Sequence, residues 1–291
     1  MILDIMLRKG WTLLFVVLGV ALIGKGWHWA KDGFDIKRTH FPLEIVASDP
    51  LDGKVSLALS QPYHYLSRGH QCYAFESADG KYILKLPRYD RYTLPFWLRS
   101  CQFRFLEDYR EEQRADKEKR LYFTLNSFQI AFEELKEETA LLYLHLGRTN
   151  NFGSHTQITD RIGRSYSLDL DATAFILQRK KALMMPAFKN SLAAGDRARA
   201  KEILGAFLEI VAIRARKGIF NKDPSFLRNF GYDGKGVQID IGSFYRRGDC
   251  DPATAFGPSF LQTVGHVQSW LSEEDPEIAA WFKTRTEEII E

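Results

Sequence analysis

"KGIFNKDPSFLRNFGYDGKGVQIDIGSF", residues 217–244, carries two carboxylates and a carboxamide, Asp223, Asn229 and Asp240, around a turn. Asp233-Gly234 and Lys235-Gly236 separate two short apolar runs, which predicts a tight β-hairpin. On that hairpin Asn229 and Asp240 fall near the same end, and Asp223 lies just before it. Gly242 lets the chain turn sharply after Asp240. Oxygen donors at one hairpin end suit a hard cation such as Mg²⁺. A carboxylate just upstream suits a base acting on a hydroxyl. Each residue also has a plainer use, since Asp223-Pro224 starts turns and an Asp-x-Gly closes one.

Upstream, "YHYLSRGHQCYAFESADGKYILKLPRYD" (residues 63–90) is rich in strand formers and contains the turn signal Asp79-Gly80. It predicts three antiparallel strands over 62–67, 71–77 and 81–87. Gly69 falls in the first loop and Lys85 in the third strand. A lysine directed into a cleft needs a carboxylate partner. "SFQIAFEELKEETALLYLHLG" (127–147) predicts a helix, with apolar residues at steps of three and four and Gly147 as its stop. On it Glu138 shares the apolar side, Glu134 is the second candidate partner for Lys85, and Glu137 points to solvent. Two strands follow, "HTQITDR" and "TAFILQRK", with "SYSLDLD" between them. A long helix is expected over 195–218, capped by Asp196 and stopped by Gly218, and a helical tail over 259–290.

Taken together, these motifs resemble the protein-kinase-like superfamily over roughly residues 62–245. The resemblance implies an α+β, two-lobed fold with an antiparallel sheet lobe and a reduced helical lobe; an apolar run near the N-terminus adds a hydrophobic helix before it. It implies Gly69 in a phosphate-covering hairpin, Lys85 on the phosphates and Glu138 as its helix partner. "NKD" (221–223) takes the catalytic-loop position with Asp223 as base, while Asn229 and Asp240 hold the metal. The implied cofactors are ATP and Mg²⁺. The family spaces the catalytic Asp and Asn by five residues; here Asn229 is the sixth residue after Asp223, and Arg228 stands where the Asn would fall. Only one glycine serves the phosphate hairpin. The expected activity is transfer of a γ-phosphate to a hydroxyl of an envelope glycan, a lipid-linked or other small molecule, in preference to a protein. The alternative is an inactive pseudokinase acting as a membrane-associated nucleotide-binding or scaffold module.

The rest of the chain sets bounds. Its 291 residues are 45% hydrophobic and 26% charged, enough for a substantial core. A net charge of +3, with basic and acidic residues interspersed, argues against a nucleic-acid partner. Three widely separated cysteines give neither a disulfide framework nor metal-ligand spacing. "GWTLLFVVLGVALIG" (10–24) has no charged residue, and so predicts a membrane anchor or a cleaved signal segment within residues 1–29. Lys25, Lys31, Lys37 and Arg38 favour an anchored protein with a cytoplasmic domain. Residues 30–58 read as a linker, 59–180 as the sheet lobe and 181–291 as the helical lobe. The segment 94–120 reads as a helical insertion whose aromatic front half is expected to pack on the core.

Overall fold

The computed structural model describes residues 18–20, 22–40, 51–100, 103–248 and 251–291. In chain order the elements begin with α1 (Gly53–Leu59), β1 (Tyr63–Arg68), β2 (Cys72–Ser77) and β3 (Tyr82–Pro87). Then come α2 (Phe96–Ser100), α3 (Glu107–Glu134), β4 (Leu141–His145), β5 (His155–Thr159), β6 (Ser165–Asp169), β7 (Phe175–Arg179) and β8 (Ala182–Leu183). The remainder is α4 (Met184–Ala193), α5 (Arg197–Arg216), β9 (Phe220–Asn221), α6 (Phe226–Asn229), β10 (Phe230–Tyr232), β11 (Gly236–Gln238), β12 (Phe244–Tyr245), α7 (Pro252–Glu274) and α8 (Pro276–Ile290). They fall into two compact units.

The first unit takes in residues 1–79, 84–90 and 147–174. Its strands lie in the order β3-β2-β1-β5-β6. β1 and β2 pair antiparallel across the Gly69 loop, as predicted, but β1 and β5 run parallel. The sheet is therefore mixed, which corrects the antiparallel expectation. A parallel neighbour needs a long crossover that no local turn signal announces. Alternating Tyr73, Phe75 and Ser77 of β2 face inward. Phe34, 2% exposed, sits among Tyr65, Tyr73, Phe75 and Tyr166. A stretch expected as linker thus supplies a central core residue, and Tyr73 donates its hydroxyl hydrogen to the Gly33 carbonyl at 2.8 Å.

The second unit takes in residues 80–83, 91–146 and 175–291. Its core gathers α4, α5, α7 and α8 around Phe188, Phe207, Phe226, Phe230 and Phe282. Asp196 caps α5 by accepting from the Arg199 N–H, and Gly218 follows its end at φ +68°, both as predicted. The expected helical tail is two helices, broken at Asp275, whose side chain caps α8.

Three expectations are corrected here. The helix predicted over 127–147 is the end of α3, a turn through Ala140 (φ 53°), and the strand β4, which pairs antiparallel with β7. The aromatic residues of 94–120 do not join the core. Leu98 is buried, but Phe96, Trp97, Phe103, Phe105 and Tyr109 are exposed. Among the described residues, no helix is long and apolar enough to cross a membrane. That finding goes against the expected membrane-anchored location; the anchor itself was read on the run 10–24. Residues 1–17 and 21, which include most of that run, lie outside the described residues, while 22–30 are helical.

Candidate functional site

The stretch 217–244 folds as its turn chemistry predicts. β10 and β11 pair with Phe230 opposite Gln238 and Tyr232 opposite Gly236, and Gly234 takes φ +91° at the tip. That backbone angle favours glycine. Gly236 has a second reason to be glycine, since a Cβ there would run into the Ala206 carbonyl of α5.

Three contacts draw Asp223, Asn229 and Asp240 into one place. Asn229 donates from Nδ2 to the Asp223 carbonyl at 2.9 Å. Its own carbonyl accepts from the Ile239 N–H at 2.8 Å, one residue before Asp240. β9 pairs with β12, and the Lys222 N–H donates to the Ser243 carbonyl at 2.9 Å, so the chain just before Asp223 lies beside the chain just after Asp240. Between Asp223 and Asn229 the chain forms α6, a single turn of four residues. Phe226 and Phe230 stand four apart and both enter the aromatic core, at 4.9 and 4.8 Å from the Phe207 ring. Phe226 opens α6 and Phe230, in extended backbone, opens β10, so both ends of the short turn are packed on the core. Asn229 itself is buried, while Asp223 and Asp240 are partly exposed.

Asp240 Oδ1 accepts from the Gly242 N–H at 3.3 Å, which turns the chain around the carboxylate. The donors offered to a cation are one carboxylate and one amide oxygen. Among the described residues no group of three His, Cys, Asp or Glu forms a self-sufficient metal cage. Mg²⁺ fits such a sparse set, because it is typically held by one or two protein oxygens and completed by phosphate and water.

Two supports of this site were missed in the sequence. Ser127 of α3 donates to the Ile241 carbonyl and accepts from the Phe244 N–H, both at 2.6 Å, and so holds the turn that carries Asp240. Arg214 of α5, 1% exposed, donates to Gln238 Oε1 at 2.7 Å and to Thr263 Oγ1 at 2.6 Å. Burial pulls its guanidinium down to about 9, so it is still cationic at neutral pH. A serine inside an apolar helix stretch and an arginine in the last turn of α5 were the only signals available.

Glu138 is placed differently from the expectation. It lies in the turn after α3, not on a helix, and its Oε1 is 3.3 Å from Lys217 Nζ. Glu134, the second candidate, ends α3 and pairs with Arg246. The helix face that sequence periodicity assigned to Glu138 does not exist, because the helix stops before it.

Lys85 and Gly69 belong to the first unit. Lys85 is on β3, half-buried. Gly69 lies between β1 and β2; its N–H donates to the Cys72 carbonyl at 2.8 Å and its carbonyl accepts from Arg88 at 3.2 Å. The Arg88 N–H donates to the Gln71 carbonyl at 2.7 Å, so one residue at the end of β3 holds both sides of the loop. Burial works against its charge, but the Asp90 hydrogen bond and the neighbouring Tyr73 hold the Arg88 guanidinium above its ordinary value.

Solved structures of one protein, WbdD, are similar to this chain at low identity. One is a structure of the bifunctional kinase-methyltransferase WbdD: identity is 17%, the TM-score 0.34, and the match covers 69% of this chain and 33% of that one. A second WbdD crystal structure matches at 16% identity and a TM-score of 0.36, over 77% of this chain and 45% of that one. A WbdD complex with the kinase inhibitor LY294002 matches at 14% identity and 0.35 over the same shares. The chain thus spans less than half the length of the structures it resembles. No family model and no curated protein matches it.

Proposed function

We propose that the chain is an ATP- and Mg²⁺-dependent phosphotransferase acting on a hydroxyl acceptor. The observation that supports this best is the hydrogen bond from Asn229 Nδ2 to the Asp223 carbonyl, joined by backbone pairing to the Asp240 turn. Asp240 and the Asn229 amide oxygen would hold Mg²⁺, which neutralises developing charge on the transferring phosphate. Asp223, on the adjacent loop, would accept the proton of the attacking hydroxyl. Lys85 and Gly69 keep the phosphate-binding roles that the resemblance implies. Glu138 keeps its expected role as the carboxylate partner of Lys85, and it also pairs with Lys217.

A second reading, nucleotide binding without transfer, is favoured by one observation. The buried positions of α3 are Thr124, Ser127, Phe128, Ile130 and Ala131, none of them a carboxylate. Calorimetry of ATP with Mg²⁺ tests both readings at their common step. Wild type should bind, and Asp240→Ala should lose most of that affinity. A folded wild type that takes up no nucleotide at millimolar ATP removes both.

A further inference from the structure

A cavity of about 330 Å³ opens beside the candidate base. Asp223 stands at its wall, together with Phe226, Leu227, His266, Val267 and Trp270. The volume falls in the range of small-ligand sites. Phe226 and Trp270 are fixed from behind, with Phe226 5% exposed and the Trp270 ring 5.7 Å from Phe188 and 6.1 Å from Phe226. Leu227, by contrast, is 53% exposed on the outer side of α6, where a core role does not explain it. The described residues that line this cavity include no lysine or arginine, so nothing there would neutralise an anionic ligand. One carboxylate, one imidazole and Ser225 on mostly apolar walls suit a neutral molecule with a single polar end.

We infer that this cavity is the acceptor site, and that the acceptor is a small neutral alcohol or phenol with an apolar body. The inference rests on the phosphotransferase reading above. The body would lie against Leu227, Val267 and Trp270, with its hydroxyl turned to Asp223. The hydroxyl oxygen would form the new bond to the γ-phosphorus of a nucleoside triphosphate. The bond from that phosphorus to the β,γ-bridging oxygen would break, its electron pair leaving with the nucleoside diphosphate. The hydroxyl proton would pass to the Asp223 carboxylate and then to solvent. Apolar walls would favour such alcohols over polyols by a factor set mainly by buried hydrocarbon, about tenfold per methylene-sized contact or more.

The test uses the full chain and two readouts. The first is ¹⁹F NMR of 4-fluorobenzyl alcohol without nucleotide. The second is phosphate transfer from ATP to benzyl alcohol, glycerol, glucose and a serine peptide. Wild type should broaden the fluorine signal and phosphorylate benzyl alcohol with a kcat/KM at least tenfold above that for glycerol or glucose. Leu227→Arg, at an exposed position, should abolish the broadening and lower transfer to benzyl alcohol at least tenfold. His266→Glu provides a second exposed substitution on the opposite wall, with the same expected direction. Preferred transfer to glycerol, glucose or the peptide, unchanged in both variants, would overturn the acceptor assignment and leave the phosphotransferase reading standing. Broadening that both variants lose, with no transfer to any alcohol, would overturn the phosphotransferase reading and with it the acceptor role. Absence of broadening in wild type, with no preference among acceptors, would overturn the cavity's role alone.

Discussion

The loop carrying Asp223 and Asn229 and the loop carrying Gly69 are built by opposite means. The first is anchored from below by apolar side chains, Phe226 and Phe230 on Phe207, and closed above by one side-chain amide. The second is held by Arg88, whose guanidinium and backbone N–H donate to the Gly69 and Gln71 carbonyls. Buried aromatic packing is stiff and costly to alter, because core volume cannot be changed without leaving a void. The Arg88 guanidinium, though buried, holds its loop by hydrogen bonds and fills no aromatic core. The comparison assigns geometric precision to the Asp223–Asn229 loop and tolerance to the Gly69 loop.

Several substitutions would break or sharpen that contrast. The largest effect is expected from Phe226→Ala, which should destabilise the fold by about 3–5 kcal/mol, read by chemical denaturation. A loss under about 1 kcal/mol would mean that the aromatic anchor does not set the loop. Ser127→Ala comes next. It removes both bonds to the Asp240 turn and should cost about 2–3 kcal/mol, since two buried backbone groups lose their partner. It should also weaken Mg²⁺-dependent ATP binding more than Mg²⁺-free binding, a split that a purely structural serine would not produce. Arg88→Met should cost only about 1–2 kcal/mol and change ATP affinity a few-fold. A loss as large as that of Phe226→Ala would erase the distinction between the two loops.

The smallest effect is on pH dependence, in the first unit. The Thr149 hydroxyl, against a slight burial penalty, and the Phe152, Gly153 and Asn151 N–H groups hold the Asp171 carboxyl below its usual range. A carboxyl whose folded value is depressed stabilises the fold at pH above its unfolded value, about 3.9, and that stabilisation is lost as pH falls through the folded value. Wild type should therefore lose thermal stability across this acid window, and Asp171→Asn should show a shallower loss. Parallel curves would detach Asp171 from acid stability.

What was legible in the sequence was local. Asp79-Gly80 and Asp233-Gly234 announce their turns through residues that lie next to each other, so β1, β2, β3 and the β10–β11 hairpin fell close to their predicted places. That Asp223, Asn229 and Asp240 lie in neighbouring stretches was legible for the same reason, because they flank one short hairpin. The end of α3 was not. Leu135, Leu142 and Leu146 continue a helical period across a turn, while Leu141, Tyr143 and His145 alternate inward on β4. The two periods overlap in this run, and only the pairing with β7 decides between them. Glu138 was misplaced as a consequence. Ser127 stood outside the reading because its partners are 114 and 117 residues away. The exposed Phe103 and Phe105, stacked with ring centroids 5.6 Å apart, are hydrophobic enough to suggest a core, and composition alone carries no direction.

The central claim is that Asp223 handles the proton of the acceptor while Asn229 and Asp240 handle the metal. Measuring ATP affinity and phosphate transfer side by side in wild type and Asp223→Asn tests it most directly. The account predicts nucleotide affinity within a few-fold of wild type and a loss of transfer of about 10²–10⁴-fold, the range for removing a positioned general base. Transfer at the wild-type rate in Asp223→Asn would contradict it.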